Sequence, residues 1–287
     1  MSDASLLTNE SRFNGLFIGG SGCGKKVAAC TFPHPIKYLD FDNRIRGILG
    51  ASWIERKGID YKYYPPCKGP GQKLMYEEIN ADCDAMMTQA FLNQFPYKTV
   101  IIASLTGEFY GLLKDATTLT HNIGAKGEKK SGRYVGTMAI PDPGDYPFVY
   151  NGLRNILAFF RSLPGVNVIV MGHTVPRYAK PIKESGEVDN YADAVQVGTR
   201  LSLTDKAASE LPSGFDNIFE FSKAFDGNKE HFYVQFRSDM ARTTYAKLPN
   251  GQIEITGRNF YEYFKQYSDD TLSIATDTSA AVQSLTK

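Results

Sequence analysis

The segment from Gly15 to Cys30, GLFIGGSGCGKKVAAC, carries the clearest structural signal in the chain. Its apolar start predicts a strand, the spacing Gly19-x-x-x-x-Gly24-Lys25 follows directly, and the closing VAAC is compatible with a helix. Glycines let the backbone curve around an anion so that successive N–H groups point at it, and the lysine adds a positive charge. A glycine-rich turn without a ligand is the alternative, but strand, spacing and lysine together favour a phosphate-binding P-loop. We assign nucleotide binding to Gly19, Gly20, Ser21, Gly22, Cys23, Gly24, Lys25, Lys26 and Val27.

The composition is that of a chain that can bury a full core. It has 287 residues, of which 42% are hydrophobic, and a formal net charge of +1. Binding to nucleic acid through overall positive charge is therefore excluded, and such binding would need local basic patches. The four cysteines form no CxxC pair, which argues against a structural metal and against a disulfide framework. Because no run of about 18 apolar residues occurs, we expect a soluble cytoplasmic protein without a membrane segment.

Short apolar runs separated by helix-length segments organise most of the chain. Strands are predicted at Leu16 to Ile18, Ile36 to Leu39, Thr99 to Ile102 and Val166 to Met171, and helices at Leu74 to Phe95, Tyr150 to Leu163 and Phe260 to Tyr267. Alternating strands and helices imply an α/β fold with right-handed βαβ units and a mostly parallel central sheet flanked by helices. From about Phe219 the closely spaced runs FEFSKAF, HFYVQF and TTYAKL predict a C-terminal extension of antiparallel hairpins.

Two positions depart from the pattern that holds a magnesium ion beside a P-loop. The residue after Lys25 should be Ser or Thr, whose hydroxyl ligates Mg²⁺, but it is Lys26. The strand TVIIASLT should end in an acidic residue, but that position is Ala103. Since the metal normally offsets the charge that develops in phosphoryl transfer, we expect hydrolysis to be slow or absent. Nucleotide binding can survive if Lys26 supplies positive charge near the ion position, which is a hypothesis.

The order of the pieces GGSGCGKKVAACTFPHPIKYLDFDN, YKTVIIASLT, VNVIVMGHT, GFDNIFEF and RTTYAKLP resembles the phage-encoded RecA-like P-loop ATPases of AAA type, including the Sak-like single-strand annealing group. The resemblance implies a RecA-like core over residues 13–267, with an N-terminal extension at 1–12 and a flexible tail at 268–287. It also implies ATP and Mg²⁺ as ligands, assembly into a homo-oligomer, and a role in recombination, annealing or replication of phage DNA. In that case the host cytoplasm would be its location.

The resemblance assigns further roles to residues outside the P-loop. Asp42, in LDFDN, matches the acidic residue that polarises the attacking water, although a simple strand-end aspartate is the alternative. His173, in VNVIVMGHT, matches a polar sensor of the γ-phosphate, although a structural histidine would also fit there. Basic residues in the late hairpin region match a finger that reaches a neighbour's nucleotide, and solvated strand charges are the simpler interpretation. These are Arg237, Arg242 and Lys247.

Two long loops are candidates for contact with single-stranded DNA. The predicted loops run from His121 to Tyr146 and from Thr174 to Val197, and both carry basic residues close to a tyrosine. Such side chains suit single strands because phosphates pair with charge while bases stack on rings. Loops rich in Gly, Lys and Glu are also simply soluble, which leaves the assignment open. The candidate residues are Lys126, Lys129, Lys130, Arg133, Arg177, Lys180 and Lys183.

Two alternatives to this function are compatible with the sequence. In one, the nucleotide pocket is vestigial and the chain is an interaction or assembly module with the tail as a docking segment. In the other, the chain is an active ATPase in which Asp40 and Asp42 substitute as metal carboxylates.

Overall fold

The computed structural model describes residues 12–66, 73–122, 134–135, 138–139, 141–181, 188, 193–236 and 252–266. The predicted tail at 268–287 and residues 1–11 of the predicted N-terminal extension lie outside these ranges. None of the helices within these ranges combines the length and the apolarity that a membrane crossing requires.

The described residues form eleven strands, six α-helices and two short 3₁₀ helices. The strands are β1 (Asn14–Gly19), β2 (Ile36–Asp40), β3 (Ile59–Tyr63), β4 (Thr99–Ala103), β5 (Tyr134–Val135), β6 (Met138–Ala139), β7 (Asn167–Ala179), β8 (Val195–Leu201), β9 (Asn217–Asp226), β10 (Lys229–Phe236) and β11 (Gln252–Glu254). The α-helices are α1 (Lys25–Ala29), α2 (Met75–Phe91), α3 (Leu105–Asn122), α4 (Asp145–Ser162), α5 (Asp205–Glu210) and α6 (residues 260–266). The 3₁₀ helices are Ile45–Gly50 and Leu211–Gly214.

The main sheet is mostly parallel, in the order β11-β10-β9-β1-β7-β4-β2-β3. The strands from β9 to β3 in this order are parallel, whereas β10 and β11 continue the sheet beyond β9 in antiparallel pairing. Parallel strands end at one common edge, and ligands bind at this carboxyl edge in α/β folds. The predicted α/β fold, with a mostly parallel central sheet, flanking helices and an antiparallel C-terminal extension, is confirmed.

The two faces of the sheet build two separate cores. Alternation along β1 sends Leu16 and Ile18 to one face and Phe17 to the other, as expected for a strand buried on both sides. Helices α2, α3 and α4 cover the first face, and α1 and α6 cover the second. The second core is rich in aromatic rings, with Phe17 against Phe219 and Phe260 at centroid distances of 5.7 and 5.5 Å. These contacts tie the P-loop strand to the C-terminal helix.

Three details differ from the sequence-based predictions. The strand predicted to end at Met171 continues to Ala179, so the predicted loop from Thr174 to Val197 is wrong for residues 174–179 and 195–197. Residues 174–179 pair antiparallel with β8. Most of them are exposed and one is a proline, so this stretch lacks the alternation of buried and exposed side chains that predicts a strand. The predicted loop from His121 to Tyr146 is interrupted by the short pair β5 and β6. Strand β3 was not predicted, because this edge strand is only half-buried and alternates polar with aromatic side chains.

Candidate nucleotide-binding site

The P-loop connects β1 to α1 at the carboxyl edge of the sheet. Gly19 has a φ of 143°, and a Cβ atom there would overlap the carbonyl oxygen of Phe221 on the neighbouring strand β9. Gly24 has a φ of 90°, in the left-handed region, and forms the N-cap of α1. Glycine is required at both positions, because a side chain would clash at the first and strain the backbone at the second. Helix α1 has only five residues, so the loop's own amides matter more for anion binding than a helix dipole.

The loop offers both amide donors and a buried ammonium group. Among the described residues, no acceptor receives a hydrogen bond from the backbone N–H groups of residues 21–24. Lys25 is 6% exposed, and its Nζ donates to the carbonyl oxygens of Gly19 and Gly20 at 2.8 and 2.7 Å. Burial lowers the pKa of Lys25, and the nearby Cys23 and Asp42 offset this in part. An incoming phosphate would therefore meet free N–H groups beside a positive charge.

Asp42 and His173 meet beside the P-loop. His173 lies in register with Gly19 on the adjacent strand β7, and Asp42 follows the end of β2. Asp42 Oδ2 lies 3.3 Å from His173 Nε2. Burial raises the pKa of Asp42, but hydrogen bonds from His173 and Ser104 outweigh it, so that the pKa is lowered from its ordinary value. The carboxylate is therefore ionised at neutral pH, as a group that accepts a proton from water must be.

The start of α3 supports the Asp42 side chain. A Cβ atom at Gly107 would overlap Asp42 Oδ1, so the absence of a side chain there lets the first turn of the helix approach the carboxylate. The Gly107 N–H donates to Ser104 Oγ at 3.2 Å, which caps this 18-residue helix. A helix N-terminus stabilises a nearby negative charge. The position of Asp42 thus depends on the segment directly after Ala103.

Asp40 is a structural residue. Its side chain is fully buried, and its carboxylate oxygens accept the backbone N–H groups of Asp42, Arg44 and Ile45 at 3.0, 2.8 and 3.0 Å. These three bonds hold the turn that carries Asp42 into the site. Three backbone donors leave this carboxylate little capacity for a metal ion, so the geometry is unfavourable to the alternative in which it serves as a magnesium ligand.

The two departures from the magnesium pattern are both inside this site. Lys26 Nζ donates to the carbonyl oxygen of Arg44 at 2.6 Å. Burial lowers the pKa of Lys26, while the charges of Asp40 and Asp42 raise it. Ala103 is fully buried at the end of β4, in register with Asp40. Its methyl group offers no oxygen to a metal, and no cluster of three or more His, Cys, Asp or Glu within the described ranges could hold one. The residues present do not fit a standard Mg²⁺ site.

A cleft of about 480 Å³ joins these groups. It brings together the predicted P-loop residues Ser21 to Val27 with the predicted pair Asp42 and His173. It also contains residues that sequence reasoning missed. These are Asn43, Arg44, Arg46, Gly47 and Phe232. The first four follow Asp42 directly, which is the signal that could have found them, whereas Phe232 reaches the cleft from β10.

The hairpin of β9 and β10 covers one side of the P-loop. Phe232 and Lys223 are cross-strand partners in this hairpin. The Phe232 ring would lie 3.2 Å from a Cβ atom at Gly24, and Lys223 Nζ would lie 3.8 Å from one at Gly22. Lys223 also forms an ion pair with Glu230 at 3.0 Å. The antiparallel extension therefore contributes an aromatic wall and one more basic group next to the loop.

The other predicted site residues are separate from this cleft or outside the described residues. Arg177 and Lys180 are exposed on or beside the part of β7 that pairs with β8, together with Tyr178, which is 60% exposed. We call this pairing of residues 174–179 with β8 the β7–β8 arm. Outside the described residues lie Lys126, Lys129, Lys130, Arg133, Lys183, Arg237, Arg242 and Lys247.

Comparisons with known proteins add little to this geometry. No protein-family model and no curated protein matches the chain. Among solved structures, the chain is similar to a KaiC-like protein from the hyperthermophilic archaeon Pyrococcus horikoshii. The identity is 12%, the match covers 84% of this chain and 83% of that chain, and the TM-score is 0.42. Because these values are low, we base the function on this chain's own residues.

Proposed function

We propose that this chain is a P-loop protein that binds ATP or ADP and hydrolyses ATP slowly or not at all. The observation that carries the proposal is the convergence of free loop amides with Lys25, Lys26, Arg44 and Arg46 on one cleft at the carboxyl edge of the sheet. A nucleoside triphosphate supplies the multiple negative charges that such a cluster of donors and cations selects.

The proposal of slow turnover has its own support. In this proposal Asp42, which lies 3.3 Å from His173, accepts a proton from a water molecule beside the bound phosphate. However, Lys26 and Ala103 occupy the positions of the usual metal contacts, and metal ions normally carry much of the charge stabilisation in phosphoryl transfer. The geometry therefore favours binding over catalysis.

The proposed biological role is recombination, annealing or replication of phage DNA by a homo-oligomer in the host cytoplasm. It rests on the resemblance of the motifs to the Sak-like group. The β7–β8 arm supports it, because exposed Arg177 and Lys180 lie one and two positions along the chain from Tyr178, which is also exposed. Positive charge next to an aromatic ring is the combination that binds single strands.

Thermal unfolding with increasing ATP tests the binding proposal. A ligand that binds only the folded state raises the midpoint, by a free energy of about 2.7 kcal/mol when its concentration is 100 times its Kd. We expect this shift in the natural chain and its loss in Lys25→Ala. Lys114→Ala is the matched control, since Lys114 is exposed on α3 and does not line the cleft. An unchanged midpoint at millimolar ATP would favour the alternative of a vestigial pocket in an interaction module.

A further inference from the structure

We infer that the cleft holds its nucleotide as a metal-free polyphosphate, with the Lys26 ammonium group in the place that a divalent ion takes in other P-loop proteins. This inference rests on the proposed function and specifies the form of its ligand. Lys26 stands where other P-loops have the hydroxyl that binds the metal, and three separate observations support its new role.

The first observation is the fixed position of Lys26. Its Nζ donates to the Arg44 carbonyl oxygen at 2.6 Å, and a Cβ atom at Gly47 would lie 4.0 Å from its Cδ. The side chain therefore crosses from the first turn of α1 to the 3₁₀ segment on the other wall of the cleft. The acids nearest to its charge are Asp40 and Asp42. The Lys26 ammonium group therefore lies between the P-loop and the carboxylates of Asp40 and Asp42.

The second observation is that the acidic oxygens are already engaged. Asp40 accepts three backbone N–H groups, and Asp42 is hydrogen-bonded to His173 and Ser104. Mg²⁺ requires several oxygen ligands in near-ideal octahedral geometry. Ala103 contributes none. A divalent ion that took Asp40 as a ligand would break the bonds that hold the turn after β2, and it would also lie next to the like charge of Lys26.

The third observation is the balance of charge in the cleft. Among the described residues that line the cleft, Asp42 is the single carboxylate, and it is opposed by Lys25, Lys26, Arg44 and Arg46. A polyphosphate without metal carries the full negative charge that Mg²⁺ would otherwise offset. The excess of basic groups in the cleft therefore matches the free nucleotide better than its magnesium complex.

Equilibrium binding of ATP, measured by calorimetry in EDTA and again in millimolar Mg²⁺, tests the inference. We expect the natural chain to bind ATP at least as tightly in EDTA as in Mg²⁺. Tighter binding by tenfold or more in Mg²⁺ would overturn the inference and leave the proposed function standing. Absence of binding under both conditions would overturn the proposed function as well.

Substitutions at position 26 sharpen the test. Lys26→Thr removes the ammonium and restores a hydroxyl, so we expect ATP binding in EDTA to weaken by about tenfold, the effect of one lost charge-assisted hydrogen bond. Lys26→Arg keeps the charge and should keep metal-independent binding. Lys114→Thr is the matched control. If Lys26→Thr binds ATP in EDTA as tightly as the natural chain, the ammonium has no such role. Circular dichroism and the thermal midpoint establish that each variant is folded, and Lys26→Arg provides the readout if the threonine variant is not.

Discussion

Asp42 Oδ2 lies 3.3 Å from His173 Nε2, although 131 positions separate the two residues in the chain. The contact exists because β2 and β7 are parallel strands of one sheet, separated by β4, and both end their buried part at the same edge. Because the two residues are far apart in the chain, only the pairing of the strands brings them together. The pair is therefore a sensitive indicator of whether the carboxyl edge of the sheet is assembled as described.

Replacing His173 with alanine should raise the pKa of Asp42. In the natural chain this pKa is lowered from its ordinary value of 3.8 with a hydrogen bond from His173 as a main cause. A carboxyl group with a lowered pKa contributes stability above its unfolded pKa, and this contribution is lost as pH falls through the folded value. His173→Ala should therefore be less stable than the natural chain near neutral pH and should lose less stability on acidification. Carboxyl NMR and acid titration of unfolding can measure both changes. His231→Ala is the control, because His231 pairs with Glu254 instead; an unmoved Asp42 pKa in His173→Ala would contradict the described pairing.

Gly19 and Gly20 should differ sharply in their tolerance of alanine. A Cβ atom at Gly19 would overlap the Phe221 carbonyl oxygen, whereas one at Gly20 would meet nothing within 4 Å. We expect Gly19→Ala to lower the free energy of unfolding by about 1–3 kcal/mol, as overpacking does, and to weaken ATP binding through displacement of the loop. Gly20→Ala should remain close to the natural chain in urea unfolding. Equal effects of the two substitutions would mean that β1 and β9 are not this close.

Glu108 should make the stability fall as pH rises. Its side chain is fully buried in the first turn of α3, and neither carboxyl oxygen has a hydrogen-bond partner within the described residues. Burial raises its pKa from 4.5 to about 8. The folded chain keeps this proton up to about pH 8 while the unfolded chain releases it near pH 4.5, so stability decreases between these values and then levels off. The total decrease is up to about 5 kcal/mol.

The neutral variant Glu108→Gln cannot titrate and should flatten this pH dependence. Unfolding by urea at a series of pH values from 5 to 9 measures the effect. Glu262→Gln, at an exposed position on α6, is the matched control and should leave the slope unchanged. A Glu108→Gln curve with the natural slope would show that this carboxyl group is not buried without partners.

The β7–β8 arm should affect the salt dependence of DNA binding. If Arg177 and Lys180 each contact one phosphate of a single strand, replacing both with alanine should lower the slope of log K against log salt by about 1.4, since each contact adds about 0.7. Lys57 and Lys98 form the matched control pair. Both are exposed and lie just before the first residues of β3 and β4, at the amino ends of these strands and away from the carboxyl edge of the sheet. Fluorescence anisotropy with a labelled oligonucleotide provides the measurement. An identical slope in both double variants would exclude the arm from DNA binding.

The features that could be predicted from the sequence are those that depend on a few consecutive residues. The P-loop needs only neighbouring residues, and the apolar runs of β1, β2 and β4 stand out because both faces of these strands are buried. Strand β3 could not be found in this way, because edge strands lack that signal. The arm was predicted as a loop for the same reason. Most side chains of this part of β7 are exposed, so the sequence lacks the apolar run that indicates a buried strand.

The candidate site was predictable only in part, because its walls come from distant segments. Phe232 enters through pairing across β9, which no local pattern reveals. The sequence also makes Asp40 and Asp42 look equivalent as possible metal carboxylates. The structure distinguishes the two residues by their partners. Backbone N–H groups donate to Asp40, which therefore holds the turn, whereas the side chain of His173 contacts Asp42, which lines the cleft.

Strand β7 has thirteen residues, of which Val168 to His173 pair with the P-loop strand and Thr174 to Ala179 form part of the arm. A pleated strand bonded on its neighbours resists stretching along its axis, so the two parts cannot shift independently. A displacement of the arm between Thr174 and Arg177 would therefore reach His173, and hence Asp42, along one continuous strand, whereas a register shift interrupts the pairing between Arg177 and Tyr178. A molecule that binds to the arm would therefore act on the position of His173 in the cleft through the same strand.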